Sequence, residues 1–273
     1  MDMDIVYHMI FSLILAAALA GLALWRKALT PGGLTLAGGL AFVITFCGGL
    51  TGYLALAATF LLTTGAGRLS RRVREPIETK LHAKTGRRDA AQIFCNVFTG
   101  AVLLLLRTVT EERCFLWAFP GAMAASLADS LASELGVLSR RRPRDILTLR
   151  PAEKGLSGAV SPLGLGASLL GAAAIAALCA IGWGWGYGTR MFFGVTAAGF
   201  IAALLDSVLG SAAQAKYRCG VCGALTEKKQ HCGADTVLER GARFVTNDVV
   251  NFCNNLAGAG IASILYLCME KAP

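Results

Sequence analysis

The sequence predicts an all-α fold, a polytopic bundle of about eight transmembrane helices with the N-terminus outside the cytoplasm. Three observations point there. Of the 273 residues, 55% are hydrophobic and only 16% charged, and the mean hydropathy is +0.58, outside the range of ordinary water-soluble domains. The apolar residues fall in uninterrupted runs long enough to cross a bilayer. The basic residues crowd into alternate connections between those runs.

Residues 5–25 span roughly 30 Å at about 1.5 Å per residue and end in Arg26 and Lys27, which makes them a first crossing. Asp2 and Asp4 precede this run and no basic residue does, so it is expected to be a permanent span and not a cleaved signal. No charge occurs in residues 28–67, about two crossings' worth of chain, and Gly48, Gly49 and Gly52 divide the stretch into a second and a third span with a tight turn near Gly49. Residues 90–106, 115–138, 163–181, 191–213 and 245–269 supply the remaining five. The sixth and seventh, rich in Gly, Ala and Ser, are expected in the bundle interior, where small residues let backbones approach.

The connections after spans one, three, five and seven hold 22 of the 26 Lys and Arg residues, leaving only Arg107, Arg113, Arg190 and Lys271 for the other side. The positive-inside rule places those rich connections in the cytoplasm, and merging spans two and three would destroy the alternation. The chain therefore reads as one integral-membrane domain, 1–273, in the plasma membrane, with residues 214–244 as a cytoplasmic cysteine-containing loop. Its net charge of +9 belongs to loops facing lipid headgroups, and no nucleic-acid partner is expected. Arg68, Arg71, Arg72 and Arg74, like Arg140, Arg141, Arg142 and Arg144, are read as fixing topology.

Acids inside or at the ends of membrane helices need a reason, because each costs about 2.5 to 3.5 kcal/mol near a helix centre. At 100° per residue, Ser126, Asp129, Ser130, Ser133 and Glu134 share roughly a 140° arc of the fifth span. Asp206, Ser207, Gly210, Ser211 and Gln214 line one side of the seventh, and Asn247, Asp248, Asn251, Asn254 and Asn255 one side of the eighth. Asp89, Gln92 and Asn96 open the fourth. All four faces begin or end on the cytoplasmic side and can converge on one cavity. Interhelical hydrogen bonding is the alternative for the amides and Ser126; carboxylates serve that purpose poorly unless paired or bound to a cation.

Such an oxygen-rich set suits Mg²⁺, which takes few protein ligands and completes its shell with phosphate oxygens. Arg87 and Arg88 adjoin Asp89, and Lys154 precedes the small-residue turn of Gly155, Leu156, Ser157 and Gly158, whose amides can approach phosphate. Cations, backbone donors and a metal are what phosphoryl transfer needs. In the 214–244 loop, Cys219, Cys222, His231 and Cys232 form half of a zinc-ribbon pattern; structural zinc and free thiols both stay open, since adjacent His231 and Cys232 share an ion awkwardly.

The segments Gly86-Arg87-Arg88-Asp89-Ala90-Ala91-Gln92 with Asn96, Ala128-Asp129-Ser130-Leu131-Ala132-Ser133-Glu134-Leu135-Gly136, Leu205-Asp206-Ser207-Val208-Leu209-Gly210 with Gln214, and Thr246-Asn247-Asp248-Val249-Val250-Asn251 resemble, in this order, the membrane family of domain of unknown function 92. That family includes transmembrane protein 19 and a plant phytyl-phosphate kinase. The resemblance runs from the second span to the C-terminus, and the cysteine loop is similar too. The run Ala128-Asp129-x-x-Ala132-x-x-x-Gly136 followed by Lys154-x-x-x-Gly158 is also similar to the nucleotide-binding signature of CTP-using polyprenol kinases and cytidylyltransferases, with Ala128 where Gly is usual and Ser157 where Glu is usual.

The resemblance implies a kinase that moves a phosphoryl group from CTP or another nucleoside triphosphate to an isoprenoid (phytyl or prenyl) monophosphate at the cytoplasmic membrane face. Asp129, Glu134 and Asp206 are expected to hold Mg²⁺ and, with Lys154, to be catalytic. Arg87, Arg88, Ser130, Ser133, Gly155, Ser157 and Gly158 are expected to contact phosphate, and Asp89, Asn96, Ser207, Gln214, Asn247, Asp248 and Asn251 to position substrate. A transporter or flippase for an isoprenyl phosphate or small anion, and a cytidylyltransferase-like enzyme, are the alternatives; homo-oligomerisation stays open.

Overall fold

The computed structural model describes residues 3–84, 86–183 and 188–270. Among the described residues, seven helices are long and apolar enough to cross a membrane. They are α1 (Met3–Trp25), α2 (Pro31–Leu81), α3 (Ala90–Thr110), α4 (Phe115–Gly136), α5 (Pro162–Gly182), α6 (Gly188–Ala212) and α7 (Asn247–Glu270). Lys271 lies outside the described residues.

The second helix is folded in two. Gly49 takes φ +61° and ψ −155°, which only a residue without a Cβ adopts comfortably, and a Cβ on Gly52 would fall 2.8 Å from the Ile44 carbonyl oxygen. A straight helix of 51 residues would be about 77 Å long, at about 1.5 Å per residue. Yet the amide of Thr30, just before α2, donates to the Arg88 carbonyl at 3.0 Å, just beyond its other end. The two limbs of α2 are the expected second and third spans, joined at the expected glycine.

The Gly49 turn, the α3–α4 connection and the C-terminal end of α5 share one face: Gly48 packs on Leu104, and Gly182 on Thr51. His8 near the start of α1 reaches the Phe46 carbonyl at 2.9 Å, and the ring of Tyr266 near the end of α7 lies 5.8 Å from that of Trp117, tilted by 49°. The first and last helices therefore reach this face, and the basic connections occupy the other.

The expected interior differs from the observed one. Every residue from Trp117 to Ala128 of α4 is buried, so this helix is enclosed on all sides, whereas α5 and α6 turn Leu170, Ile181, Phe193 and Ile201 outward. The small residues of α5 and α6 do serve close packing, but against α4. A Cβ on Gly199 would lie 2.6 Å from Ala124 Cβ, and one on Gly171 3.1 Å from the Leu127 carbonyl. On its other side α4 meets α7, with Gly121 and Gly258 at backbone contact. Pro120 sits within α4 and does not end it.

Residues 214–244, expected as a loop, contain a four-stranded antiparallel sheet in the order β4-β3-β6-β5, from β3 (Lys216–Cys219), β4 (Leu225–Thr226), β5 (Gln230–His231) and β6 (Ala234–Arg240). Gly223 and Gly233, at φ +69° and +75°, make its turns, and Arg218 pairs with Glu239 across the β3–β6 ladder. A two-stranded ribbon of β1 (Arg144–Asp145) and β2 (Ala159–Val160) closes the α4–α5 connection.

Candidate active site

The site begins with how the helix ends are tied. Asp89 is the N-cap of α3: its carboxylate accepts the Gln92 amide at 2.9 Å while the Gln92 side chain accepts the Asp89 amide at 3.1 Å. Lys84 joins Asp89 at 2.9 Å to Asp248, in the first turn of α7, at 2.5 Å. Both acids thus sit where a helix N-terminus favours negative charge, and both share one cation. Asp89 and Asp248, expected to position substrate, lie outside the lining of the main cavity and tie the starts of α3 and α7 together through Lys84.

The α4–α5 connection is laid over the ends of α2 and α6. Gly155 and Gly158, at φ +80° and +86°, form its turn; a Cβ on the first would strike Ile77 at 2.4 Å and on the second Ser211 at 2.6 Å. Lys154 donates to the Val137 and Ser139 carbonyls at 3.1 and 2.8 Å, capping the C-terminal end of α4. Ser211 donates to Asp145 at 2.6 Å. Burial by itself raises the Asp145 carboxyl, but hydrogen bonds from Ser211, Thr148 and Leu147 outweigh it and draw it down to about 2.

Beneath the connection lies a second buried network. Glu227 accepts Ser157 Oγ at 2.5 Å and Gln214 Nε2 at 2.8 Å, and pairs with His82 at 3.4 Å. Fully buried Lys216 donates to the Ser157 carbonyl at 2.7 Å. Burial, with Arg240 behind it, pulls this ammonium down to about 8 against the opposing pull of Asp145 and Glu227. Gln214, expected to position substrate, is buried and donates its side-chain amide to Glu227. Ser157 spends its hydroxyl on Glu227, so the carboxylate lacking at position 157 is present beside it from 70 residues away.

A cavity of about 240 Å³ opens among these parts on the basic face. Asp129, Ser130, Ser133 and Glu134 from α4, Asp206 and Ser207 from α6, Asn247 and Asn251 from α7, and Asn96 from α3 all line it, with Arg88, Lys154, Gly155, Ser157 and Gly158. The four polar helix faces do converge. Arg87 is exposed and outside the lining, which corrects its assignment to phosphate. Asn96 lines the wall, accepting Ser126 Oγ at 3.1 Å and donating to the Gln92 carbonyl at 2.9 Å. Asn254 and Asn255 serve as interhelical ties, donating to the Ala125 and Cys95 carbonyls.

The three carboxylates separate into two kinds. Glu134 pairs with Arg74 at 3.0 Å and accepts Ser70 at 3.2 Å, both from α2. Asp206 faces Asp129 closely enough for their charges to interact, and among the described residues its Oδ2 is buried with no hydrogen-bond donor. Ser168 Oγ, also lining the cavity, is likewise buried without a partner. Among the described residues, Asp129, Glu134 and Asp206 do not form a single cluster of ligand atoms within 4.8 Å; only the cysteine loop does. Of the expected three-carboxylate metal set, Glu134 is engaged by Arg74 and Ser70, while Asp129 and Asp206 share the cavity wall. Two facing carboxylates with an unpartnered buried oxygen fit a hard cation that completes its shell with phosphate and water.

Arg74, read from the sequence as fixing topology, lines the cavity and pairs with Glu134, and His82 and Lys84, which carried no assignment, line it too. For Arg74 a signal existed: Gly67, Ser70, Arg74 and Ile77 recur at helical spacing and face inward, while Arg68, Arg71 and Arg72 are exposed. His82 and Lys84 lie in an irregular connection where no periodicity marks them. A smaller opening of about 230 Å³, lined by Gln214, Glu227, Lys229, Arg243 and Asp248, adjoins the cavity through Lys84 and Asn247.

The family model described as integral membrane protein DUF92 matches residues 14–259. An uncharacterized membrane protein of Synechocystis sp. is 30% identical over 243 residues, 87% of this chain and 82% of that one. Protein PGR of Arabidopsis thaliana is 28% identical over 298 residues, 93% of this chain and 98% of its own. An uncharacterized membrane protein of Methanocaldococcus jannaschii is 33% identical over 119 residues, 42% of this chain and 49% of its own. No solved structure matches.

Proposed function

The chain belongs to the DUF92 family of integral membrane proteins, and we propose that it is a nucleotide-dependent kinase transferring a phosphoryl group, with CTP the favoured donor, to an isoprenoid monophosphate of the phytyl or prenyl kind. The observation that carries this reading is the facing pair Asp129 and Asp206, one oxygen of which is buried without a donor, in a cavity rimmed by Arg74, Arg88, Lys84 and Lys154. Anionic ligands and a divalent cation together satisfy that combination, and neither does so alone.

Asp129 and Asp206 would hold Mg²⁺, which supplies charge neutralisation for the phosphates when bound. Ser130, Ser133 and Ser207 offer hydroxyls along the same wall, and Asn247 and Asn251 offer amides opposite. Arg88 and Arg74 bring positive charge to bear on Asp129, the position from which they reach phosphate oxygens. The turn at residues 155–158 presents its backbone to the cavity, and Lys154 holds that turn against α4. The acceptor is a phosphate monoester and already anionic, so no base is needed: one of its oxygens attacks the γ-phosphorus, the bond to the β-phosphate bridging oxygen breaks, and a nucleoside diphosphate leaves.

The basic face is assigned to the cytosol by the positive-inside rule, which gives nucleotide access from water and the lipid tail access from the bilayer. The test is a matrix of CTP, ATP, GTP and UTP against farnesyl, geranylgeranyl and phytyl phosphate in detergent, with and without Mg²⁺. Isoprenyl diphosphate with nucleoside diphosphate in equal amounts is the expected product. Release of pyrophosphate with a nucleotidyl lipid would establish a cytidylyltransferase instead, and lipid transport in liposomes without nucleotide consumption a flippase.

A further inference from the structure

The zinc-ribbon half-pattern is completed by the fold. Cys219 ends β3 and Cys222 follows in the turn closed by Gly223, whose amide donates to the Cys219 carbonyl at 2.9 Å. His231 ends β5, and Cys232 begins the turn closed by Gly233. The awkwardness of neighbouring ligands is removed by the backbone: Cys232 takes φ +54°, which swings its thiol back beside the His231 ring. Cys222 Sγ and Cys232 Sγ lie 3.4 and 3.2 Å from His231 Nδ1, and one ligand atom from each of the four residues falls within 4.8 Å of all the others. Zinc bonds of about 2.3 Å to sulfur and 2.0 to 2.1 Å to nitrogen in a tetrahedron would put ligand atoms roughly 3.5 to 3.8 Å apart, close to this arrangement.

We propose that Cys219, Cys222, His231 through Nδ1, and Cys232 bind one Zn²⁺ in a closed Cys₃His site, and that this ion holds the sheet that supports the cavity wall. Three thiolates and an imidazole in tetrahedral array select zinc over Mg²⁺ or Ca²⁺, and four protein ligands leave no position for substrate, so the role is structural. Cys232 and Gly233, both at positive φ, are the central pair of the two-residue turn between β5 and β6, so the hairpin that sets this backbone also delivers the fourth ligand.

The sheet that the ion would clamp is small, and its connection to the helices is specific. The Glu227 amide and Thr226 Oγ1 cap the last carbonyl of α2, that of Leu81, at 2.8 and 2.9 Å. Glu227 and Lys216 then grip Ser157 from side chain and backbone, fixing the turn at residues 155–158. Four strands of this length bury too little apolar surface to hold such a grip unaided, which is the usual circumstance of a structural zinc.

The test is metal analysis of the full chain purified in detergent from zinc-replete cells, without metal-affinity resin. One zinc per chain is expected, falling below a tenth in a Cys219→Ser, Cys222→Ser double variant. Mercurial titration of the wild type is expected to release zinc in proportion to the loss of three thiols, a readout that needs no variant to fold. Chelation is expected to speed hydrogen exchange in residues 216–240 at least tenfold while leaving α4 and α7 unchanged. A monodisperse wild-type protein that holds no zinc, with these thiols freely labelled or joined in a disulfide, overturns the proposal. It stands apart from the phosphotransfer reading: zinc without kinase activity refutes only the latter, and kinase activity without zinc only the former.

Discussion

Asp206 and Glu134 are both carboxylates at the edge of the same cavity, yet their environments set opposite expectations. Asp206 carries a buried oxygen with no donor beside a second carboxylate, so Asp206→Asn should remove repulsion and raise the melting temperature of metal-free protein while cutting turnover by about a hundredfold or more, read by differential scanning fluorimetry and product formation. A purely structural Asp206 would lose stability and activity together. Glu134 is satisfied by Arg74 and Ser70, and Arg74→Met should cost about 2 kcal/mol by leaving that half-buried carboxylate without its cation. The check is a denaturation midpoint in detergent, with Glu134→Gln in the same chain restoring part of the loss.

Asp145 gives a pH dependence of definite sign. Its folded carboxyl is drawn down to about 2 from an ordinary value of 3.8, so its ionised form stabilises the native connection. That contribution is complete above the ordinary value and disappears as pH falls through about 2. Asp145→Asn is therefore expected to lower the melting temperature at pH 7, with the gap to wild type narrowing between pH 4 and pH 2. A gap constant over that window would mean that the side chain acts by shape alone.

At the level of elements, the 155–158 turn depends on two glycines, each at positive φ and each pressed against a neighbouring residue. Gly158 needs a left-handed backbone and also a bare α-carbon against Ser211, so Gly158→Ala should destabilise by about 2 kcal/mol or more and weaken nucleotide binding, measured by thermal shift with and without CTP. Gly166, by contrast, has nothing within 4 Å of an added Cβ and ordinary φ, and Gly166→Ala should be neutral or slightly stabilising by the same assay. The helix assignments were largely legible from charge-free runs, because the bilayer admits few alternatives. The 214–244 sheet was not, since its strands are two to seven residues long and are specified by pairing across the sheet, not by any local period.

For the whole molecule, sidedness decides which compartment supplies the phosphate donor. Glu153 lies on the basic face and Glu112 on the opposite one, both exposed. In a background with the exposed Cys253 and Cys268 replaced and the 214–244 cysteines left in place, Glu153→Cys should add a site for an impermeant maleimide only in inverted vesicles and Glu112→Cys only in right-side-out ones. The reverse pattern would put the cavity outside the cell and remove the nucleotide supply on which the proposed kinase depends.

The amino-acid sequence by itself determined where the chain crosses the bilayer, where it doubles back at Gly49, and which helix faces carry the acids, because hydrocarbon imposes a length and a polarity on every segment regardless of its neighbours. Only the tertiary structure decided which of those acids keep an open oxygen. Lys84 takes Asp89 and Asp248, Arg74 takes Glu134, and Asp206 is left facing Asp129. Partners of this kind stand far apart along the chain and a few ångströms apart in space, and the energy of a desolvated charge depends on that spatial distance and on the local polarity, not on separation along the chain.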